Sequence, residues 1–357
     1  MFLTDRPGLL VLFLTALFRL ASSQTIGSSN GAILCSGTRT IQSSPHSHWG
    51  YITSPNHSQS YPAENMQCTF KFQPKADEQI QLIFSYFNLR ESGEVPATTN
   101  CDLSDSVKIF IGTSRTNFNP GNQLGEYCGK KHPEIVMAVG QPLTVIFTVR
   151  TKENPNIKAL HMFKAKYAFT KDYGIRTQAE HNKTAGCHFI FDGRRVSNTG
   201  DFDSPNFGGL YPYAVNCLYT FRAYGNQSIR LNFNKFEVDG HHDCRRPDDD
   251  YVYFQEGELN WKNFASPADD DDLKRTKNAT LYCGKRAPPQ INFGNRVVNV
   301  LFKSGQQWTN HGFRGTYTFV GHPGVFLPRS SSTKGTISST TPTSLTLLAL
   351  ILAQCFS

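Results

Sequence analysis

An internal repeat constrains this chain more than any other feature, because it sets the number of domains. Residues 50–56 read Gly-Tyr-Ile-Thr-Ser-Pro-Asn, and residues 200–206 read Gly-Asp-Phe-Asp-Ser-Pro-Asn. A Tyr-Pro pair follows each segment, and Tyr-Cys-Gly recurs at 127–129 and 282–284. Repeats of solenoid proteins are only roughly 20–50 residues long. Each copy here is longer, so the chain is predicted to hold two domains, each with its own core.

Apolar residues alternate with other residues in several short segments of both copies. Gly, Pro and Asn separate these segments, as is typical of strands joined by turns. Such a pattern predicts an all-β fold made of antiparallel β-sandwiches. The alternating positions are Ile80, Leu82, Phe84 and Tyr86, and Leu143, Val145, Phe147 and Val149, in the first copy, and Ile229, Leu231 and Phe233, and Val298, Val300 and Phe302, in the second.

The first residues are typical of a secretory signal peptide, which we place at 1–23. Arg6 precedes an apolar run over 8–18, and small residues follow at 21–23. The run is too short to span a bilayer, because a transmembrane helix needs about 20 apolar residues. We therefore expect cleavage before Gln24 and entry of the chain into the secretory pathway.

The last residues have the composition of a GPI-attachment signal. A polar stalk over 321–330 leads to small serines at Ser330 and Ser331, and the segment 331–357 ends in a short apolar tail with no basic segment after it. We expect one of these serines to carry the lipid, 331–357 to be removed, and the protein to lie on the outer leaflet of the plasma membrane. A marginal tail anchor and a secreted C-terminus are the alternatives.

Cysteine usage fits an oxidising compartment. The chain has nine cysteines, and Cys355 would leave with the tail. Four then remain in each repeat, and four cysteines allow three pairings, between which the sequence alone does not choose. Disulfides are the default in secreted proteins. The remaining cysteines are Cys35, Cys68, Cys101, Cys128, Cys187, Cys217, Cys244 and Cys283.

Four Asn-x-Ser/Thr sequons point to the same compartment, since each would be a surface glycosylation site in a secreted protein. Any one of them could occur by chance, but four in a chain with a signal peptide are meaningful as a set. They predict a glycoprotein. The acceptor residues are Asn56, Asn182, Asn226 and Asn278.

These motifs together resemble the CUB domain. The resemblance rests on four cysteines per copy, the Ser-Pro-Asn and Tyr-Pro motifs, Tyr-Cys-Gly, and a closing Phe-x-Gly/Ala-x-Tyr-x-Phe at 163–169 and 313–319. It places CUB domains at 35–170 and 187–320 and a linker at 171–186. It implies jelly-roll-like antiparallel β-sandwiches. It also implies that the first cysteine pairs with the second and the third with the fourth, giving Cys35–Cys68, Cys101–Cys128, Cys187–Cys217 and Cys244–Cys283.

The family often binds calcium through acidic loop residues at one end of the sandwich. In the second copy the corresponding positions are Asp239, Asp250 and Gly305. Two carboxylates survive, with Asp248 and Asp249 as substitutes for the third. Calcium takes six to eight oxygen ligands, so the resemblance implies weak calcium binding at most. A solvated acidic loop is the alternative.

In the first copy the same positions hold Arg90, Asp105 and Arg150. A guanidinium repels a divalent cation, so we expect no calcium there by this route.

The sequence offers little for catalysis. Residues 27–31 match G-x-S-x-G, but they lie in a Gly/Ser-rich stretch without the strand–turn–helix context of a nucleophile elbow. The formal net charge is +8, and in an extracellular setting basic clusters such as Lys130-Lys131 favour a sulfated glycan or an acidic loop of a partner over nucleic acid. A solvated basic face is the alternative reading.

We therefore expect a non-catalytic cell-surface protein that binds an extracellular or membrane protein. Such pairs of modules are similar to those of neuropilin- and tolloid-like and suppressor-of-lurcher receptor auxiliary proteins. The alternative is a secreted matrix or protease regulator resembling procollagen proteinase enhancers. We expect the loops beside Asp239 and Asp250 to carry recognition. Because Asp250 precedes a strand, Asp250→Ala is expected to weaken binding without lowering surface expression.

Overall fold

The computed structural model describes residue 35 and residues 37–92, 101–112, 122–152, 159–259 and 280–322. The predicted signal peptide, Asn278, both candidate lipid-attachment serines and the C-terminal tail lie outside these residues. Within them, the chain forms two β-sandwiches, and the all-β prediction is confirmed. No helix in these ranges is long and apolar enough to cross a membrane.

The first sandwich, which we call module 1, pairs a five-stranded sheet with a four-stranded sheet. The strand orders are β1-β3-β8-β5-β6 and β2-β9-β4-β7. The strands are β1 (Gly37–Gln42), β2 (Trp49–Thr53), β3 (Met66–Gln73), β4 (Gln79–Asn88), β5 (Ser106–Ile111), β6 (Gln123–Cys128), β7 (Val136–Val139), β8 (Leu143–Val149) and β9 (Met162–Thr170).

The second sandwich, module 2, repeats this arrangement with sheets ordered β10-β11-β13-β18-β15-β16 and β12-β19-β14-β17. A short 3-10 helix, Lys183–Ala185, precedes its second strand. The strands are β10 (Glu180–His181), β11 (His188–Asp192), β12 (Thr199–Asp203), β13 (Asn216–Arg222), β14 (Ser228–Glu237), β15 (Tyr251–Glu256), β16 (Leu281–Tyr282), β17 (Ile291–Phe293), β18 (Val297–Lys303) and β19 (Gly312–Val320).

One strand pair in each module departs from the antiparallel expectation. β1 runs parallel to β3, and β11 runs parallel to β13. A disulfide explains both, because Cys35–Cys68 and Cys187–Cys217 join the starts of the paired strands and so fix the same ends together. The other two disulfides join Cys101 to Cys128 and Cys244 to Cys283.

A β-bulge in β4 interrupts the alternation predicted from the sequence. Its register against β9 shifts between Phe84 and Tyr86. An extra residue in one strand moves every later side chain to the opposite face. Phe87 is therefore buried, whereas Tyr86, predicted to share the face of Phe84, is exposed. The bulge recurs in β14 between Phe233 and Lys235.

The glycine that opens each repeated motif is required by a tyrosine ring. A Cβ on Gly50 would lie 2.5 Å from the Tyr167 hydroxyl oxygen, and one on Gly200 would lie 2.7 Å from that of Tyr317. Both rings are buried. Aromatic rings supply much of the core area in small sandwiches, so each glycine leaves room for a ring that stabilises its sandwich.

The two modules meet at a hydrogen-bonded joint. Asn206 of module 2 accepts from the Gln81 amide at 2.6 Å and donates to the Ile135 carbonyl at 3.1 Å, and the Leu210 N–H also donates to Ile135 at 2.9 Å. Ile175, in the segment between the modules, is buried in the core of module 2. A Cβ on Gly209 would lie 2.2 Å from the Ile135 oxygen, so the close approach of the backbones depends on this glycine.

Candidate functional site

A buried tyrosine–aspartate pair organises the end loops of module 2. The Tyr211 hydroxyl donates to Asp250 Oδ2 at 2.5 Å, and the Gly305 N–H donates to Asp250 Oδ1 at 2.5 Å. The Asp239 N–H in turn donates to the Tyr211 oxygen at 2.8 Å. The structure thus brings Asp239, Asp250 and Gly305 together around Tyr211, although they are far apart in sequence.

The same arrangement recurs in module 1. The Tyr61 hydroxyl donates to Asp105 Oδ2 at 2.7 Å, and the Arg150 N–H donates to Asp105 Oδ1 at 2.7 Å. The Arg90 N–H donates to the Tyr61 oxygen at 2.8 Å. Arg90 therefore occupies the place of Asp239, and Arg150 that of Gly305. We call each Tyr–Asp pair with its backbone donors the cradle of its module.

The burial of Asp250 corrects one expectation from the sequence. Its side chain is 1% exposed, and both of its carboxylate oxygens accept hydrogen bonds from the module itself. Removing a buried acceptor leaves its donors unsatisfied, which costs stability. The premise that Asp250 lies outside the buried interior is therefore wrong, and Asp250→Ala is now expected to destabilise module 2 and to lower surface expression. Asp250 holds the end loops in place beneath the surface.

Two other carboxylates of module 2 face outward and are unpaired. Within the described residues, Asp239 and Asp248 make no side-chain hydrogen bond or ion pair, and both are half-buried. Partial burial, followed by the nearby charges of Asp249 and Asp248, raises the pKa of Asp239 above its usual value. A raised pKa of this kind means that partial burial and neighbouring negative charges disfavour the ionised carboxylate.

Asp249, the buried neighbour of Asp248 in the chain, is satisfied internally. It accepts from the His241 N–H at 3.0 Å, from His241 Nδ1 at 2.7 Å and from the Arg246 N–H at 2.9 Å. Burial acts against its ionisation, but these hydrogen bonds outweigh it and lower the pKa of Asp249. Asp249 is thus an anchor of the loop and not a free ligand.

The donor set of module 2 does not fit a resident calcium ion. The oxygens of Asp250 and Asp249 are already hydrogen-bonded, and a Cβ on Gly305 would lie 3.0 Å from the Asp248 carbonyl oxygen. Among the described residues, no group of three or more His, Cys, Asp or Glu side chains could hold a metal ion. Calcium needs six to eight oxygens, and Asp239 and Asp248 supply the two carboxylates that remain unpaired at this end among the described residues.

Module 1 provides its own positive charge at the corresponding end. The Arg90 guanidinium donates to the Tyr61 carbonyl at 2.7 Å and lies 4.4 Å from the centre of the Tyr61 ring. Arg150 donates from its guanidinium to the Ser104 carbonyl at 3.1 Å. Arg90 is 7% exposed, so this end is closed by a buried cation stacked on its own cradle.

An open groove adjoins the acids of module 2. Its volume is about 550 Å³, and Asp248, Lys303, Gly305 and Gln307 are among the residues that line it. Trp308, on the loop that continues from the groove, is 60% exposed. The groove therefore offers backbone and amide groups, one unpaired carboxylate, the Lys303 side chain and a neighbouring aromatic ring to a partner, which are features of protein recognition sites.

The predicted glycosylation sites occupy different environments. Asn56 and Asn226 are exposed, whereas Asn182 is half-buried and accepts a hydrogen bond from Thr184 at 2.8 Å. Glycosylation at these residues stays a prediction.

The sequence did not single out Tyr61, Tyr211 or Trp308 as site residues. The two tyrosines were visible as part of the Tyr-Pro motif, which occurs once in each copy. The repeat was a signal that they share a role, but the pairing with an aspartate some 40 residues later in the chain is a tertiary contact.

Comparison with known proteins identifies both modules. The family model described as CUB domain matches residues 35–167 and 192–317. The chain is 27% identical over 300 residues to procollagen C-endopeptidase enhancer 1 of Rattus norvegicus, covering 84% of this chain and 53% of that protein. It is 26% identical over 293 residues to cubilin of Sus scrofa, covering 81% of this chain and 7% of that protein. The chain thus spans about half or less of these two relatives.

Two solved structures of the MASP-1 protein are also similar to the chain. The CUB1-EGF-CUB2 domains of rat MASP-1 match with a TM-score of 0.28 and 20% identity, covering 79% of this chain and 100% of that chain. The MASP-1 CUB2 domain bound to Ca²⁺ matches with a TM-score of 0.27 and 24% identity, covering 36% of this chain and 96% of that one.

Proposed function

The chain belongs to the CUB domain family, and we propose that it is a non-catalytic recognition protein of the cell surface. In this proposal, the end loops of module 2 bind another extracellular or membrane protein. The observation that carries it is the pair of unpaired, half-buried carboxylates, Asp239 and Asp248, of which Asp248 lines an open groove, while both oxygens of Asp250 beneath them are already hydrogen-bonded. Unpaired like charges repel, so the site is most favourable when a cation joins it.

The partner supplies that cation as a lysine or arginine side chain. Three facts support a side chain over a bound ion: the oxygens of Asp250 are hydrogen-bonded, position 305 is a glycine, and the groove has room for an extended side chain. A basic side chain needs only one or two carboxylates, whereas calcium needs a cage of oxygens. Any calcium binding by module 2 is weak in this account.

Four disulfides and the predicted signal peptide support an extracellular location. The C-terminal signal supports a GPI anchor on the outer leaflet. Treating expressing cells with phosphatidylinositol-specific phospholipase C tests the anchor. We expect release of the protein into the medium. Protein that is already free in the medium of untreated cells would contradict the anchor.

A second candidate is a secreted matrix or protease regulator. The similarity to procollagen C-endopeptidase enhancer 1 favours it, although that similarity covers 53% of the relative's length. Free protein in the phospholipase experiment, together with binding to procollagen, would favour this candidate over cell-surface recognition.

A panel of purified extracellular domains tests recognition itself. We expect the full chain to bind at least one member, and Asp239→Asn with Asp248→Asn to weaken that binding by about tenfold or more, the size of a hydrogen-bonded charge pair. The matched control replaces Glu64 and Asp201 with the corresponding amides, since both are exposed acids outside the groove. Equal weakening by both double variants would contradict a specific site.

A further inference from the structure

A group of aromatic and basic side chains covers the outer side of the β2–β9 pair in module 1. It consists of Trp49 and Tyr51 on β2 and Lys164 and Lys166 on β9, and we call it the aromatic–lysine face. In the register of the two strands, Tyr51 lies opposite Lys166, and Trp49 lies opposite Ala168. β2 is an edge strand, so the face is open on one side.

The two rings are unusually accessible for their size. Trp49 is 60% exposed and Tyr51 is 47% exposed. Large exposed aromatic residues cost solubility and are sparse on surfaces that serve no binding role. At protein interfaces, by contrast, Trp and Tyr are enriched among the residues that dominate the binding energy. The exposure of this pair therefore calls for an explanation beyond the fold.

The face is also held in a defined geometry. The rings of Trp49 and Tyr51 meet edge to face at 6.1 Å between centroids. The Lys164 ammonium lies 4.5 Å from the centre of the Tyr51 ring, and the Lys166 ammonium lies 5.6 Å from that of Trp49. Such cation–π contacts restrict both partners before a ligand arrives. Less side-chain freedom is then lost on binding.

The positive charge of the face has no internal counterion. Within the described residues, no carboxylate forms an ion pair with Lys164 or Lys166. The positive potential reaches His57 nearby, where burial and then the charge of Lys164 lower the pKa of the imidazole. The two ammonium groups are therefore available to carboxylates from outside the molecule.

Module 2 shows that the fold does not need this face. Thr199 and Asp201 occupy the positions on β12 that correspond to Trp49 and Tyr51. Arg314, which corresponds to Lys164, is satisfied internally, because its guanidinium donates to both oxygens of Asp203 at 2.7 Å. The same sheet is thus stable with polar, paired side chains. The aromatic rings and free lysines of module 1 serve something other than folding.

We propose that the aromatic–lysine face binds an acidic segment of a partner protein, with the partner's carboxylates on Lys164 and Lys166 and its apolar groups on Trp49 and Tyr51. Charge complementarity sets the sign of the ligand. A protein segment fits better than a sulfated glycan, because two cations are few for a polyanion and the exposed rings offer apolar contact area.

This inference rests on the proposed function, since both describe a recognition protein, but it concerns a different module and a ligand of opposite charge. Module 2 would take a basic side chain at Asp239, and module 1 would take an acidic segment at Trp49. The two sites can therefore fail or succeed separately when each is changed by itself.

Fluorescence of Trp49 tests the proposal in the full chain. The chain has three tryptophans, Trp49, Trp261 and Trp308, so Trp261→Phe with Trp308→Phe leaves Trp49 as the reporter. The probe is a short synthetic peptide in which Glu alternates with Leu, and the matched peptide has Gln in place of Glu. We expect a saturable change in emission with the Glu peptide and affinity about tenfold lower for the Gln peptide, as for the loss of a charge pair.

Substitution of the lysines locates the binding. In the same background, Lys164→Gln with Lys166→Gln should reduce affinity for the Glu peptide about tenfold. The control, Lys183→Gln with Lys235→Gln, removes two exposed lysines from module 2 and should leave affinity unchanged. Equal binding of both peptides, equal loss in both lysine variants, no binding of the Glu peptide, or tighter binding of a heparin oligosaccharide than of the peptide would each overturn the proposal. Asp239→Asn should have no effect on this readout, which separates it from the site of module 2.

Discussion

The two modules have the same cradle but opposite charge around it. In module 1, Tyr61 and Asp105 are covered by Arg90, whose guanidinium is buried on the tyrosine ring. In module 2, the residue at the place of Arg90 is Asp239, and its carboxylate is unpaired among the described residues. The Tyr–Asp pair is therefore a structural element of the sandwich, and the residue above it decides whether the end is closed or open to a cation.

The same contrast appears, with reversed sign, on the outer sheet. Module 2 pairs Arg314 with Asp203 there, whereas module 1 leaves two lysines without carboxylates. Among the described residues, module 1 thus has internally satisfied charges at its cradle and unpaired lysines on its outer sheet, whereas module 2 has paired charges on its outer sheet and unpaired carboxylates at its cradle. A duplicated fold can in this way present two different binding chemistries while its core stays the same.

The largest expected effect tests whether the shared framework is equivalent in both modules. Closing a loop of about 30 residues with a disulfide stabilises a domain by roughly 3–4 kcal/mol. Cys68→Ser and Cys217→Ser should therefore each cause retention in the secretory pathway, since this is much of the net stability of a domain. Immunoblots of surface and intracellular fractions measure it. Normal surface levels of either variant would show that its module does not depend on the disulfide.

A smaller loss of stability tests whether the two cradles have the same structural role. Asp105→Ala and Asp250→Ala each remove a fully buried acceptor of the tyrosine hydroxyl and of a backbone N–H. We expect each variant to lose about 2–4 kcal/mol in the free energy of unfolding, because at least two buried donors lose their partner. Urea unfolding of the full chain checks this. A stable Asp250→Ala variant would mean that the pair in module 2 is not structural.

The sequence predicted where the aspartates of the two cradles lie in the chain, but it did not predict that they are buried structural residues. Repetition located Asp105 and Asp250, because each precedes an alternating strand at the same place in its copy. Burial could not be read from the sequence, since an aspartate before a strand is usually exposed, and only the tertiary contact with Tyr61 or Tyr211 makes it structural. The bulge before Tyr86 was invisible for a similar reason, because it is set by pairing with β9.

Acidification should lower the stability of module 2 more than that of module 1, by a moderate amount. Burial, followed by the charges of Arg222 and His181, lowers the pKa of His188 from 6.5 to about 4. The unfolded state then binds more protons between these values, so the stability of module 2 falls as the pH drops from 6.5 towards 4, by about 2 kcal/mol after allowance for partial solvent screening. The corresponding residue of module 1 is Thr38, which pairs with the residue after Cys68 as His188 pairs with the residue after Cys217, and a threonine does not titrate in this range.

Hydrogen exchange of the full chain, read separately for peptides of each module, measures this difference. Protection in β11 and β13 should decrease at low pH more than protection in β1 and β3. His188→Gln should remove the excess. An equal decrease in both modules, or a decrease that persists in His188→Gln, would assign the pH dependence to other groups.

The smallest effect concerns calcium. Neither module offers an oxygen cage among the described residues, so calorimetric titration of the full chain should show no calcium binding of micromolar or tighter affinity. Tight binding that is lost in Asp239→Asn would show that module 2 rearranges to hold the ion. Tight binding that persists in Asp239→Asn would place the ion elsewhere.

Replacing Asp239 with arginine tests the central comparison most directly, because it gives module 2 the residue that closes module 1. The measurement is the affinity of the full chain for the extracellular domain selected from the panel, together with the urea midpoint. We expect Asp239→Arg to reduce affinity by about tenfold or more, because a guanidinium repels the partner's basic side chain, while the urea midpoint stays within the range of neutral surface variants. Full binding by a stably folded Asp239→Arg protein would contradict the assignment of this end of module 2 as the recognition site.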